Sequence, residues 1–403
     1  MAVGLLHRRP DSGLGNIRAS ASSPSRNIDW VLLLAQSALA VIGLFVIYSA
    51  SYTKFANPYL YVTRQEIFLI GAVVAMVVVM SIDYDVWKHK AKFLYGITIM
   101  LLVLVILLGT VSQGARLSFD IGPLKLQPAE LAKVTTLLAL AAYLSEEERT
   151  EDGLPYARFV GGLIYIGIPT ALIIVQPDLG SASVIIAMAM GVLLVAGARA
   201  KYIVLITVLS AVTVAAAKVT GLINACQWNR IVIFIDTDKC TSSSAGSAIS
   251  DLCYQGSNAV KAIATGGITG KGWLQGPLTS SKDIPVQWAD FPFSAIGEQF
   301  GLVGCAVIVG LFVIMLMRIW RIAHLSRDMF GTYLCAGVFT MLLWQVFQNI
   351  GMTIKIMPVT GLPMPFISYG GSSLITWFAL LGLVQSVHMR RMCTLCTSPN
   401  IMK

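Results

Sequence analysis

The feature that most constrains this chain is a series of apolar stretches, each close to 20 residues long. A helix of about 20 apolar residues matches the thickness of a bilayer, and helices satisfy their own backbone polar groups there. Only 12% of the 403 residues are charged, against about 25% in soluble domains. The sequence therefore predicts an all-α polytopic membrane protein with about ten transmembrane helices. The predicted spans are 30–50, 66–82, 93–111, 128–145, 158–175, 180–197, 202–222, 294–317, 329–352 and 368–388.

The basic residues predict the orientation of these spans. With a cytoplasmic N-terminus, most lysines and arginines outside the long loop at 223–293 fall on inner segments, which is the usual bias. Both termini are then cytoplasmic, and the large loop between helices 7 and 8 is extracytoplasmic. A polar arm at 1–28 reads as disordered, 29–390 as the membrane domain and 391–403 as a cytoplasmic tail. The net charge of +9 then reflects cytoplasmic loops, and no nucleic-acid partner is expected.

The cysteines fit this topology. Three of them lie in the long outer loop: Cys226, Cys240 and Cys253. A Cys240–Cys253 disulfide is allowed in an oxidising compartment, but spacing does not fix the pairing. Cys305 and Cys335 are predicted to be small core residues, and the lone "CTLC" at 393–396 is interpreted as fortuitous rather than metal-binding.

Polar motifs concentrate on the predicted outer side. In "LQPAELAK", Pro128 suits the first turn of a helix, and Glu130 and Lys133 lie i,i+3 on one face. They form either a structural ion pair or a site in which Lys133 attracts an anionic substrate. In "QPDLGSAS", Asp178 is predicted to cap the next helix, and a role in the cavity stays open.

Two further outer segments are ambiguous. "ISYGGSS", with Ser368 and Tyr369, starts the last span with small residues, which suit either close packing or a phosphate at a helix start. "TGGITGKGWLQG" at 265–276 fails the P-loop pattern because Gly272 follows Lys271. It reads as a flexible segment that carries one useful cation, Lys271.

The stretch "DIPVQWADFPFSAIGEQFG" at 283–301 places Asp290 and Glu298 at the start of a long apolar helix. A carboxyl group in such a half-buried place can have a raised pKa and act as a general base. Asp290 can equally cap a helix or pair with Lys271 or Arg230. The residues alone leave these alternatives open.

Taken together, the ordered motifs resemble the SEDS family (shape, elongation, division and sporulation), the polytopic cell-wall polymerases of bacteria. The resemblance covers most of residues 30–390, and its motifs look more like those of the elongation members than of the division members. It is carried by these segments: "VIYSAS", "RQ" at 64–65, "GAR…GPLKLQPAELAK", "QPDLGSA", "GGITGKGWLQG", "ADFPFSAIGEQFGLVG" and "NIGMTIKIMPVTGLPMPFISYGGSSL".

The resemblance implies a peptidoglycan glycosyltransferase in the cytoplasmic (inner) membrane with an extracytoplasmic active site. It would join lipid II units into β-1,4 glycan for cell-wall elongation and rod shape, with Asp290 as general base and no organic cofactor. Mg²⁺ or Mn²⁺ is the expected metal. The supporting cavity residues would be Glu298, Asp178, Glu130, Ser368 and Tyr369, and the diphosphate-binding residues would be Arg64, Arg116, Lys133 and Lys271.

The resemblance also implies partners: a class B penicillin-binding protein, docked on helices 8 and 9 and the outer loop, and other membrane proteins of the elongation complex.

The sequence departs from the family pattern at several positions. Trp288 and Ala289 replace the His-Thr before Asp290, Gln299 replaces a Glu, Ser118 replaces a Trp, and Lys355 replaces a Gly. Two alternatives stay open: a lipid II flippase or other transporter, which would share the ten spans and the cavity, and a catalytically weakened scaffold that activates the penicillin-binding protein, which the departures motivate.

Overall fold

The computed structural model describes residues 27–55, 57, 59–112, 115–121, 124–146, 153–219, 221, 225–235, 247–281 and 284–391. For some residues inside these ranges, Arg116 among them, only the backbone is described. The predicted arm at 1–28, all but its last two residues, and "CTLC" at 393–396 lie outside the described residues.

The mostly helical architecture predicted from the apolar stretches is confirmed. Each of the ten stretches is a helix in the described part of the chain. These helices are α1 (Trp30–Ser51), α2 (Tyr59–Ser81), α3 (Tyr84–Leu108), α4 (Pro128–Leu144), α5 (Tyr156–Val175), α6 (Leu179–Val195), α7 (Ala200–Val219), α11 (Pro292–His324), α12 (Met329–Thr353) and α13 (Gly371–Met389). Helices α2 and α3 begin seven and nine residues earlier than predicted, because both extend as polar turns beyond their apolar stretch.

By length and composition, seven helices among the described residues can cross a membrane: α1, α2, α3, α5, α11, α12 and α13. Helix α6 and residues Ala200–Ser210 of α7 are shorter apolar helices. Helix α4 lies at the centre of the bundle and packs against α3, α5, α6, α12 and α13. The chain is therefore a multi-pass membrane protein, and the count of about ten spans stays a prediction.

Capping carboxylates begin several of these helices. Asp29 accepts a hydrogen bond from the backbone N–H of Leu32, and Asp328 accepts one from that of Gly331. Pro128 and Pro292 occupy the first turns of α4 and α11, where a missing N–H costs nothing. Helix α11 kinks at Gly301, whose φ of +65° favours glycine.

Two features depart from the all-α prediction of helices joined by loops. The segment between α3 and α4 forms a small antiparallel sheet of β1 (Thr110–Ser112), β2 (Ala115–Ile121) and β3 (Leu124–Leu126), in the order β1-β2-β3. In its register Thr110 faces Ser118, and Phe119 faces Leu126. The large loop contains helices α8 (Ala225–Ile235), α9 (Ser247–Gly266) and α10 (Pro277–Ser280).

The cysteines behave as the topology predicts where they are described. Cys305 and Cys335 are free and buried in the helix bundle. Cys253, on α9, forms a disulfide bond. The bond's other half is not among the described side chains, so the Cys240–Cys253 pairing stays a prediction.

Candidate active site

The polar motifs predicted for one face come together at one end of the helix bundle. The side-chain amide of Gln127 donates to Asp178, at 3.2 Å, and its backbone N–H donates to the Ser372 hydroxyl, at 3.3 Å. Ser372 also donates to the backbone carbonyl of Lys125. The starts of α4, α6 and α13 are thereby joined.

Asp290 lies in a tight turn immediately before α11. Its backbone N–H and that of Ala289 both donate to the carbonyl of Val286, each at 3.0 Å. Val286 has a φ of +53°, a conformation that costs a β-branched residue energy. The turn therefore has a fixed, strained geometry that points to a requirement for the position of Asp290.

Three neighbours hold this turn in place. The buried Asn349 of α12 donates from Nδ2 to the carbonyls of Asp290, at 3.1 Å, and Leu362, at 2.8 Å. The backbone N–H of Tyr369 donates to the carbonyl of Trp288, at 3.0 Å. Gln287 donates to the Ser294 hydroxyl at 3.0 Å. The Asp290 backbone is thus tied to α11, to α12 and to the loop before α13.

The Asp290 carboxyl group is half-buried. Burial raises its pKa to about 6, and the positive charge of Arg230 on α8 opposes part of that rise. Of the two cations considered as partners from the sequence, the structure therefore places Arg230 in electrostatic contact with Asp290. A carboxyl group with this pKa is mostly ionised at pH 7 and still basic enough to accept a proton.

An aromatic cluster stands beside this turn. The centroid of the Trp288 ring lies 5.0 Å from that of Phe55 and 5.4 Å from that of Tyr61. Tyr61 packs edge-on against Tyr369, with their ring centroids 5.1 Å apart. Burial raises the pKa of the Tyr369 hydroxyl, and a hydrogen bond with Arg64 offsets part of that rise. Trp288 thus connects the turn to α2 through Tyr61.

Glu298 occupies a different environment from Asp290. Its buried carboxylate accepts hydrogen bonds from the N–H of Leu278 at 2.8 Å, the N–H of Thr279 at 2.7 Å and the Thr279 hydroxyl at 2.5 Å. These are the free donors at the start of α10. Glu298 therefore braces the outer loop against α11.

The segment 265–276 was expected to be flexible, and that expectation is wrong. Backbone N–H groups of Lys271 and Gly272 donate to the carbonyls of Glu298 and Gln299, each at 3.0 Å. A Cβ at Gly266 would lie 1.9 Å from the carbonyl oxygen of Gly297, so only glycine allows this approach. These contacts join residues 27 to 31 positions apart, which no local pattern shows. The Lys271 side chain is exposed.

The ion pair and the cap predicted from spacing are both present. The Lys133 ammonium lies 2.7 Å from the Glu130 carboxylate, with both side chains buried. Asp178 accepts a hydrogen bond from the backbone N–H of Ser181 at 3.0 Å, which caps α6. Much of the charge of Lys133 is therefore used inside the protein.

Two residues of the predicted site, Ser368 and Arg116, remain to be placed. The Ser368 hydroxyl accepts a hydrogen bond from the N–H of Met364 at 2.7 Å, and so folds the loop before α13. Arg116 lies on β2 opposite Val111, and its side chain is outside the described part of the structure. Sequence reasoning did not identify Asn349, although it lies in a quoted motif, because its role depends on a contact between residues 59 positions apart.

Among the described residues, no three His, Cys, Asp or Glu side chains cluster in a way that could hold a metal ion. Asp290 faces a cation, and Glu298 is saturated by donors. The described residues therefore do not fit a metal site built by protein ligands.

Comparison with known proteins gives consistent results. The FtsW/RodA/SpoVE family profile, described as "Cell cycle protein", matches residues 29–392. "Peptidoglycan glycosyltransferase MrdB" of Escherichia coli K12 is 32% identical over 369 residues, covering 91% of this chain and 94% of its own. "Stage V sporulation protein E" of Bacillus subtilis is 30% identical over 371 residues, covering 89% and 96%.

Solved structures share the fold. A chain of a peptidoglycan synthase complex, studied for the coordination of polymerisation and crosslinking, matches with a TM-score of 0.73 and 30% identity, over 91% of this chain and 98% of that one. The rod shape determining protein RodA of Thermus thermophilus matches with a TM-score of 0.65 and 28% identity over the same shares.

Proposed function

The chain belongs to the FtsW/RodA/SpoVE family, and from that premise we propose that it polymerises lipid II into β-1,4 glycan on the outer face of the cytoplasmic membrane. It is a peptidoglycan glycosyltransferase, as its relatives at about 30% identity are named. The assignment to the elongation of rod-shaped cells rests on the motif resemblance. The observation that carries the catalytic proposal is Asp290, a carboxyl group with a pKa near 6 in a turn fixed from three sides.

In this proposal Asp290 is the general base. Its carboxylate removes the proton from the 4-hydroxyl of the acceptor sugar while that oxygen attacks the anomeric carbon of the donor. The new C–O bond forms as the bond to the diphosphate breaks, and prenyl diphosphate leaves with the electron pair. Attack opposite the leaving group inverts the anomeric centre. General base catalysis of this kind contributes about 10²–10⁴-fold to a rate.

The basic residues predicted to hold the diphosphate receive unequal support. Arg64 is connected to the Asp290 turn by its hydrogen bond with Tyr369, whereas Lys133 is paired with Glu130 and Lys271 is exposed. Arg116 stays a proposal from the motif alone. A divalent cation, Mg²⁺ or Mn²⁺, would be bound largely through the substrate diphosphate, as Mg²⁺ commonly is.

The proposed partners follow from the same relationship. One structural neighbour is part of a peptidoglycan synthase complex that polymerises and crosslinks. We propose that this chain docks a class B penicillin-binding protein on α11 and α12, its eighth and ninth predicted spans, and works with other membrane proteins of the elongation complex. Apolar side chains of α11 that are exposed, such as Leu302, Val303 and Val313, provide a surface for such a span.

Reconstitution separates this function from the two alternatives. The chain is purified alone and fused to a class B penicillin-binding protein, and each form is supplied with lipid II and Mg²⁺ or Mn²⁺. Glycan ladders from either form support the polymerase. Partner binding without ladders in any format supports the scaffold, and lipid II that crosses vesicles without polymerising supports the flippase.

A further inference from the structure

A cavity between α8, α9 and the end of α12 includes Arg230, the cation that acts on Asp290, and the chemistry described above gives the cavity itself no role. The centre of a water molecule could occupy about 70 Å³ of it. Among the described residues, Arg230 and Lys355 are the charged ones that line it, and no described acidic side chain does so. Apolar side chains, including Met352, Met357 and Phe234, form the remainder of the wall. The cavity thus combines two cations with an apolar surface.

Arg230 has unused hydrogen-bonding capacity. One guanidinium nitrogen, Nη1, donates to the carbonyl of Val359 at 3.3 Å. Its Nε is buried and has no hydrogen-bond partner among the residues that the structure describes. A buried donor without an acceptor costs about 1–3 kcal/mol, so native proteins rarely keep one without a reason. An acceptor supplied by a ligand is such a reason.

Lys355 is held in a conformation that costs energy. Its φ of +61° lies in the left-handed region, which glycine occupies freely and a lysine does not. Its side chain is exposed, and its ammonium donates to the Ser257 hydroxyl on α9 at 3.0 Å. Strain of this kind persists where the side chain is needed, and the side chain here adds a positive charge to the cavity.

The chemistry of the cavity selects a class of ligand. Arginine and lysine together recognise phosphate oxygens, and both bind them more strongly away from bulk water. Helix α8 carries Ile233 and Phe234 beside the more polar first half "ACQWNR", a pattern that suits a helix lying at a membrane surface. A lipid that carries phosphate next to a hydrocarbon chain matches both parts of the wall.

We propose that Arg230 and Lys355 bind the diphosphate of a prenyl-diphosphate lipid, and that the apolar wall takes the first units of its chain. The inference rests on the proposed function for the identity of this lipid. It moves the diphosphate from the buried Lys133 and the exposed Lys271 to a cavity whose Arg230 also acts electrostatically on Asp290.

The test measures binding directly. Purified full-length chain in detergent is titrated with undecaprenyl diphosphate, and binding is followed by native mass spectrometry. Arg230→Gln removes the charge, and Lys355→Gly removes a charge while relieving the strained φ. Lys355→Gly should therefore unfold at a temperature no lower than wild type. Each variant should bind about tenfold more weakly, the effect of losing one charged hydrogen bond.

The controls make the outcome decisive. Lys261→Gln removes an exposed lysine of α9 that does not line the cavity, and it should bind as wild type does. Inorganic pyrophosphate and phosphatidylglycerol are titrated beside the prenyl diphosphate. Equal binding by phosphatidylglycerol, or unchanged affinity in both cavity variants, overturns the inference. If the wild type makes no glycan yet binds prenyl diphosphate through Arg230 and Lys355, the proposed function fails and the inference stands.

Discussion

Replacing Glu298 with glutamine tests whether this residue is a brace or part of the chemistry. Its carboxylate accepts three hydrogen bonds at 2.5 to 2.8 Å, all from Leu278 and Thr279 at the start of α10. An amide keeps one acceptor oxygen and turns an NH₂ group toward at least one of these donors. One charge-assisted bond is lost, at about 1.5–3 kcal/mol, and the others weaken. We expect Glu298→Gln to cost about 2–4 kcal/mol.

The assay is thermal unfolding of the purified chain in detergent, read alongside glycan synthesis. Glu66→Gln is the matched control, because it makes the same chemical change on an exposed side chain. We expect Glu298→Gln to lower the unfolding midpoint by several degrees and Glu66→Gln to leave it unchanged. Activity per folded molecule should stay close to that of wild type. A Glu298→Gln protein that unfolds as wild type does but makes no glycan would refute the structural role.

Three further outcomes follow from the same geometry. Asp178→Ala should destabilise the chain by about 1 kcal/mol in thermal unfolding, since a helix cap is lost. Lys133→Met should cost about 3–5 kcal/mol because it leaves Glu130 buried without its cation, and adding Glu130→Gln should recover most of the loss. Glycan synthesis should fall as pH drops through about 6, because Asp290 must be ionised to accept a proton. Because Arg230 lowers the pKa of Asp290, Arg230→Gln should shift this acidic limb of the pH–rate profile to higher pH. An unmoved limb in Arg230→Gln would contradict the assignment of Asp290 as the titrating base.

Features that depend on local spacing could be predicted from the sequence. The apolar stretches become helices because their length and composition leave few alternatives in lipid. The Glu130–Lys133 pair and the Asp178 cap each join residues three positions apart, so the helical period is enough to predict them. Asp290 could be proposed as a base from its position and family resemblance, while its partner remained open between Arg230 and Lys271.

Features that depend on distant contacts could not be predicted. The groups that donate hydrogen bonds to Glu298 lie about 20 residues earlier, on a segment that composition alone describes as a loop. Asn349 reaches Asp290 across 59 positions. Helices α8 and α9 are amphipathic with the helical period, a signal that the description of 223–293 as one long loop overlooked. The three strands between α3 and α4 are too short to give such a signal. The left-handed φ of Lys355 was not predicted either, since it depends on how the chain leaves α12.

The most direct test of the central claim compares Asp290→Asn with wild type in lipid II polymerisation, using equal amounts of folded protein fused to the penicillin-binding partner. Asparagine keeps the shape of the side chain and the backbone hydrogen bonds to Asn349 and Val286, and removes the basic carboxylate together with its charge. The account predicts an unchanged unfolding midpoint and a rate lower by about 10²–10⁴-fold. Glycan ladders formed by Asp290→Asn at the wild-type rate would contradict it.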